Sequence, residues 1–202
     1  MQGTGAVQRR GASRRLAGKI AASSLLCLGF WQLGQGAYIP AKAWLAQILM
    51  NRAWHRAEEG QHQPVPWPWA DTWPVARLSA RGGDIDLIVL EGGSGRTLAF
   101  GPGHLGASAL PGEAGNSIIA GHRDTHFRFL QTMEVGEVIR LERPGGRSFF
   151  YEVTSIDVID ARRGSLILDT EVPALSLVTC YPFNAIRPGG PMRYVVSARM
   201  IF

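Results

Sequence analysis

Hydrophobic positions follow two regimes along the chain. From about Val75 onward they come in short alternating or β-branched runs: IDLIVLE at 85–91, TLAFG at 97–101, SIIAG at 117–121, EVIRLE at 137–142, FFYEVTSIDVI at 149–159, LSLVTC at 175–180 and RYVVSARMIF at 193–202. Gly, Pro, Asp and Asn separate these runs, so each reads as a strand closed by a turn. About eight strands in roughly 125 residues predict an all-β domain, a closed or nearly closed antiparallel barrel or sandwich.

The first third of the chain is patterned differently. Ile20 to Ala41 is a run of 22 residues without a charge, with Leu25, Leu26, Leu28, Phe30, Trp31, Leu33 and Ile39 in it. As a helix rising about 1.5 Å per residue, such a run can cross a hydrocarbon core about 30 Å thick. Gln32, Gln35, Gly29, Gly34, Gly36 and Pro40 weaken it. A cleaved signal peptide fits less well, because Gly34 and Gly36 stand where a cleavage site prefers Ala, and a buried soluble helix is the third reading. Residues 42–58 carry Trp44, Leu45, Ile48, Leu49 and Trp54 at mixed spacings of three and four, the pattern of an amphipathic helix. Pro64, Pro66 and Pro68, interleaved with Trp67, Trp69 and Trp73, make 60–74 an extended linker. The expected organisation is a basic segment at 1–19, a transmembrane signal anchor at 20–41, a juxtamembrane helix and linker at 42–75, and one folded domain at 76–202.

Charge sharpens this division. The 202 residues carry 21 Lys and Arg against 16 Asp and Glu, a formal net charge of +5. Eight of the basic residues (Arg9, Arg10, Arg14, Arg15, Lys19, Lys42, Arg52, Arg56) precede the first acidic one, Glu58. The remainder is slightly acidic, so no phosphate-binding face is implied and no nucleic-acid partner is expected. Cations ahead of the apolar run put the N-terminus in the cytoplasm and the folded domain across the inner (cytoplasmic) membrane, facing the periplasm or the cell exterior. Of the two cysteines, Cys27 falls inside the apolar run, which leaves Cys180 as a lone thiol in the folded domain.

Three patterns suggest chemistry. Gly101 to Gly106 spells G-x-G-x-x-G, but Pro111, Gly112 and Gly115 follow, so no helix can begin there to face a pyrophosphate. His122 and His126 stand four apart in HRDTH, as zinc ligands do on a helix; the general-base Glu of that motif is replaced by Arg123, and no thiolate or third His lies near in sequence. His104 and His126 read as turn or surface residues. Arg123 is expected to point away from His122 if the segment stays extended.

Cys180 closes a strand and is followed by a turn, where a nucleophile can be both held and accessible. A free thiol titrates near 8.5 and is only a few per cent thiolate at neutral pH, so a catalytic cysteine needs a histidine or a cation nearby. His122 also ends a strand and Arg193 opens one. All three could meet at one edge of a barrel; a core cysteine with a structural histidine is the other reading.

These residues resemble the sortases, membrane-anchored cysteine transpeptidases, and most closely the Gram-negative class GN. Leu177-Val178-Thr179-Cys180 is similar to the family signature T-L-x-T-C, with Ser176 in place of the leading Thr. Ile119-Ala120-Gly121-His122-Arg123 resembles the strand that ends in the catalytic histidine, and Arg193-Tyr194-Val195-Val196-Ser197-Ala198 the strand opened by the essential arginine. Arg187 competes with Arg193 but lies in a Pro/Gly loop rather than at a strand start.

The resemblance implies a closed eight-stranded β-barrel behind one N-terminal transmembrane helix. It implies a thiol peptidase and acyltransferase that cuts an LPXTG-like sorting signal between Thr and Gly and passes the surface protein to an amine acceptor. Cys180 would be the nucleophile, His122 the acid and base, and Arg193 the oxyanion partner. Thr179, Ala120 and Tyr181 would contact substrate. No cofactor or metal is implied, since Asp157, Asp160, Asp169 and Glu171 are too scattered for a calcium site. A catalytically inactive peptide-binding barrel is the alternative. An L,D-transpeptidase ranks below it, because Thr179 rather than Gly precedes the cysteine.

Overall fold

The structure is a computed structural model that describes residues 5–185 and 189–201. The chain divides into two compact units, Met1–Leu45 and Ala46–Phe202. Helix α1 spans Gly5–Glu58, with Pro40 inside it. Among the described residues no helix is long and apolar enough to cross a membrane. The transmembrane anchor expected at 20–41 gains no support from it. Ser23, Ser24, Gly29, Gln32, Gly34, Gly36 and Pro40 dilute the apolar run, and the topology inferred from such a span loses that support.

In the second unit, the last turns of α1 present Ala46, Met50, Ala53, Trp54 and Ala57 as one buried stripe, at the spacing that lines a helix face. Met50 and Trp54 pack with Ile88 and Leu90, with Trp67 and Phe100 against them. The buried face is therefore not the one that Trp44, Leu45 and Ile48 suggest. The helix ends where Gly60 takes φ +91, a left-handed conformation that costs glycine little, and its N–H caps Ala57 O at 3.0 Å.

Residues 60–74, expected as a linker, are strapped to the barrel. Arg56 Nη2 donates to Val65 O at 2.8 Å, Thr72 Oγ1 to Glu91 O at 2.6 Å, and Glu91 N–H to Trp73 O at 2.8 Å. The Trp67 ring meets Phe100 edge-on with centroids 4.8 Å apart, while Trp69 stays exposed. The packed unit thus begins some thirty residues before the boundary at 76 drawn from the sequence.

The strands are β1 Pro74–Ala80, β2 Ile85–Glu91, β3 Gly103–His104, β4 Asn116–Ala120, β5 Val138–Arg143, β6 Arg147–Asp160, β7 Ala174–Cys180 and β8 Met192–Met200; a short helix, α2, covers Gly95–Leu98. They close into a barrel in the order β1-β2-β3-β4-β7-β8-β6-β5. Eight strands were expected, but TLAFG forms no strand: Thr97 and Leu98 end α2, which Ser94 caps by accepting from Thr97 N–H, the next three residues turn, and two-residue β3 takes its place. Nor is the barrel purely antiparallel, since β2 pairs with β3 and β4 with β7 in parallel. A parallel pair needs a crossover of a dozen residues or more, and the β5–β6 hairpin supplies it between β4 and β7.

Alternation sorts each strand into an inner and an outer face. Ile119, Leu175, Leu177, Val196 and Ala198 turn inward, with Leu78, Val89, Ile139, Leu141, Tyr151 and Val153 from the rest of the barrel. Replacing Trp54, 1% exposed, with Ala is expected to lower unfolding free energy by about 3–5 kcal/mol. The same change at Trp44, 69% exposed, should stay within about 0.5 kcal/mol in denaturant titrations of the full chain. Equal costs at both positions would contradict this packing.

Candidate active site

Three neighbouring strands carry the predicted residues. In the order β4-β7-β8, β7 is central; its last residue, Cys180, is paired in register with Arg193 of β8. On the other side β4 runs parallel, with Ala120 level with Val178, so two residues onward on each chain His122 comes level with Cys180. Because Leu177 and Thr179 face inward, Cys180 faces outward with Val178; on β8 Tyr194 and Val196 lean on the core and Arg193 faces outward. His122 is exposed, while Cys180 and Arg193 are half-buried. The fold thus gathers all three on the outer face at one end of the barrel.

The β4–β7 junction is held by buried polar groups. Ser176, which stands where the family signature has Thr, exchanges hydrogen bonds with Asn116 across these strands at 3.0 and 3.2 Å. Thr179, expected to contact substrate, is buried, and its Oγ1 donates to Gly121 O at 2.7 Å. Its hydroxyl proton is spent on fixing the residue ahead of His122. Gly121 must be glycine for space: a Cβ there would stand 2.7 Å from the ring of Phe127, which is fully buried. Phe127 N–H in turn donates to His122 O at 3.0 Å, closing the turn that carries the histidine.

Ala120 is half-buried beside Val178. Tyr181 stacks on Tyr194 with centroids 6.1 Å apart, and Phe183 meets Tyr194 edge-on at 5.1 Å, so three aromatic rings pack at the mouth beside Cys180. Arg193 Nη1 donates to Gly190 O at 2.6 Å and to Met192 O at 2.9 Å; its Nε and Nη2 make no hydrogen bond among the described residues. Arg187, the competing arginine, lies outside the described residues. The connection 161–173 leaves β6 just past the pair Asp160 and Met192. Asp160 is held down to about 2 by the Arg162 guanidinium and then its amide, so it is ionised throughout the physiological range.

Beyond the end of β4 at Ala120, the Arg123 guanidinium turns inward to 7% exposure while His122 stays exposed. Nη1 donates to Pro182 O at 2.7 Å and Nη2 to Ala185 O at 2.6 Å, beyond the cysteine. His104, expected at a turn or on the surface, is corrected by the structure. It is buried in β3, with Nε2 3.0 Å from Ala109 O and Nδ1 3.3 Å from Glu91 Oε2. Nothing in the sequence distinguished Arg123 from exposed Arg128, because the contact is made across 59 residues. Among the described residues no group of three His, Cys, Asp or Glu side chains is placed to hold a metal ion.

His126 lines a groove of about 630 Å³ with Asp84, Asp86, Arg128 and Phe129. Burial pushes its pKa below the ordinary histidine value, and the charge of His122 pushes it further the same way. The fold therefore favours neutral His126, a contribution complete above the unfolded value of about 6.5 and lost as pH falls through the lowered one. In an NMR titration His126 should titrate below that value, and His122→Gln should move its midpoint up. A midpoint at or above the ordinary value in the parent protein would contradict this environment.

Comparison with known proteins agrees with this arrangement. Residues 78–201 match the family model described as a sortase domain. Sortase D of Bacillus subtilis (strain 168) is 35% identical over 117 residues, which cover 57% of this chain and 58% of that protein. The chain thus spans less than two thirds of that relative's length. Among solved structures, a Clostridium perfringens sortase D5 transpeptidase superposes with a TM-score of 0.57 at 24% identity, covering 75% of this chain and 89% of the other. Sortase A from Corynebacterium diphtheriae gives 0.59 at 24% identity, covering 78% and 84%. These two likenesses establish the shared fold. The family model matches well over half of the residues, and the chain belongs to the sortase family.

Proposed function

We propose that the protein is a cysteine transpeptidase that cleaves an LPXTG-like sorting signal between Thr and Gly and transfers the surface protein to an amine acceptor. The observation that carries the reading is the outward-facing, in-register pair Cys180 and Arg193 on β7 and β8, with exposed His122 two residues past the end of the neighbouring β4. On the same motif residues the chain is assigned to the Gram-negative class GN.

In this reading the Cys180 thiolate attacks the Thr carbonyl carbon, and the carbonyl electrons move onto oxygen. The tetrahedral species collapses as the C–N bond breaks. The leaving amine takes a proton from the His122 imidazolium, and a thioester remains on Cys180. The acceptor amine then attacks the thioester, gives its proton to His122 and expels the thiolate, so one histidine serves as acid and then base. The Nε and Nη2 of Arg193, which are not engaged by described residues, supply the positive charge for the oxyanion. Ala120 and the Tyr181 ring flank the cysteine and bound the peptide. Ile167 and Val172, exposed on the 161–173 connection, offer apolar surface to the Leu and Pro of the signal. The cations of the N-terminal segment, with no acid among them, favour an anionic membrane surface, in keeping with an enzyme that works on surface proteins.

The full chain should cut a fluorogenic LPXTG-like peptide, and Cys180→Ala should abolish cleavage. His122→Ala is expected to lose about 10²–10⁴-fold, the usual range for a general acid–base group. Arg193→Ala should lose about 10²–10³-fold, as when an oxyanion donor is removed. Arg187→Ala should cut at the parental rate. Cleavage retained by Cys180→Ala would overturn the nucleophile assignment, and peptide binding without cleavage by the parent would favour the inactive binding module.

A further inference from the structure

The ladder between β4 and β7 ends at Ala120 and Val178, before either His122 or Cys180 is reached. Past that point two bonds continue the junction: Gly121 N–H to Val178 O at 3.0 Å, and Thr179 Oγ1 to Gly121 O at 2.7 Å. The next connection is beyond the reacting pair, where Arg123 spans to Pro182 O at 2.7 Å and Ala185 O at 2.6 Å. Cys180 and His122 therefore sit between two anchor points, with no hydrogen bond between their own side chains to hold them.

The turn after Cys180 has few other restraints. Tyr181 N–H donates to Met192 O at 3.1 Å and Ala185 N–H to Pro182 O at 3.3 Å. The rings of Tyr181, Phe183 and Tyr194 pack on one another. Those bonds tie the turn to β8 and to itself, and among the described residues none of them reaches the histidine turn. A groove of about 350 Å³, lined by Arg123, Asp124, Arg128, Gln131, Phe183 and Asn184, flanks the junction and leaves the two turns room to separate.

The chemistry of the tie asks for arginine. A guanidinium presents N–H groups in a fixed planar fork and can serve two carbonyls three residues apart, whereas an ammonium is a single point charge. The carboxylate near Arg123, that of Asp124 at 3.3 Å, is 69% exposed and solvated, so the buried cation is not half of a buried salt bridge. Its Nη1 and Nη2 are spent on backbone carbonyls, while Nε donates to the exposed Asp124 carboxylate.

We propose that Arg123 is a positioning residue that sets the separation of Cys180 and His122 by pinning the 181–185 turn to the turn that carries the histidine. The inference rests on the reading of Cys180 and His122 as the reacting pair. A misplacement of about 1 Å between reacting groups costs about 10²-fold in rate. Arg123 is 7% exposed and acts through the turns rather than on the peptide, so the loss belongs in kcat and not in KM.

Steady-state cleavage of an LPXTG-like peptide by the full chain tests this, assayed well below each variant's melting temperature. Arg123→Gln should lower kcat about 100-fold with KM within about twofold, and Arg123→Lys, which reaches one carbonyl, should recover about tenfold of that loss. A folded Arg123→Gln with parental kcat, or a loss expressed in KM, overturns the proposal. If Arg123→Gln does not fold, Arg123→Lys decides: a kcat about tenfold down at unchanged KM supports the tie, and parental kcat overturns it. Cys180→Ala in the same assay separates the two levels. Activity there defeats the reading of the site, while an inactive Cys180→Ala beside fully active Arg123 variants defeats this inference alone.

Discussion

Everything at the site depends on β7 having β4 on one side and β8 on the other, each in a fixed register. Side chains alternate with period two, so a slip of one residue in either pairing would turn His122 or Arg193 from the outer face to the core. The register is fixed from inside. Ile119, Leu175, Leu177, Val196 and Ala198 can all be buried together only when Ala120 lies level with Val178 and Cys180 with Arg193. Burial of the apolar faces and alignment of the polar ones are the same event, seen from opposite sides of the sheet.

The polar groups at the junction refine that register. The Ser176–Asn116 pair is buried, where an unpaired amide or hydroxyl costs about 1–3 kcal/mol, so both partners are held to this one alignment. Thr179 acts the same way one turn from the chemistry, and the missing Cβ of Gly121 lets Phe127 close beneath the histidine turn. Charge contributes little to the fold by comparison. Ion pairs such as Arg143–Glu113 and Arg162–Asp160 lie at the surface, where each is worth about 0–1 kcal/mol.

Much of this was legible in the sequence. Strands β2, β4, β5, β6, β7 and β8 follow from alternating or β-branched runs, and the three site residues from their positions at strand ends. What was not legible depended on contacts distant in sequence. TLAFG has β composition, yet Ser94 supplies a helix cap and the buried ladder position goes to Gly103–His104. The parallel pairing of β4 with β7 leaves no mark on either strand. The three-and-four spacing includes Trp54, but the small residues Ala46, Ala53 and Ala57 that complete its buried face carry little hydrophobic signal of their own. Arg123 looked like any other surface cation until the turn after Cys180 was placed against it. The run at 20–41 is uncharged, but its Gly, Ser and Gln residues dilute its apolarity, and among the described residues no helix is long and apolar enough to cross a membrane.

The central claim is that the outward-facing thiol at the end of β7 is where covalent chemistry happens. Intact-mass measurement of the full chain, quenched in acid during turnover of an LPXTG-like peptide and followed by peptide mapping, addresses it directly. The account predicts an added mass equal to the peptide through its Thr, carried on Cys180 and released by hydroxylamine. Turnover with no adduct on Cys180, or with the acyl group on another residue, would contradict it.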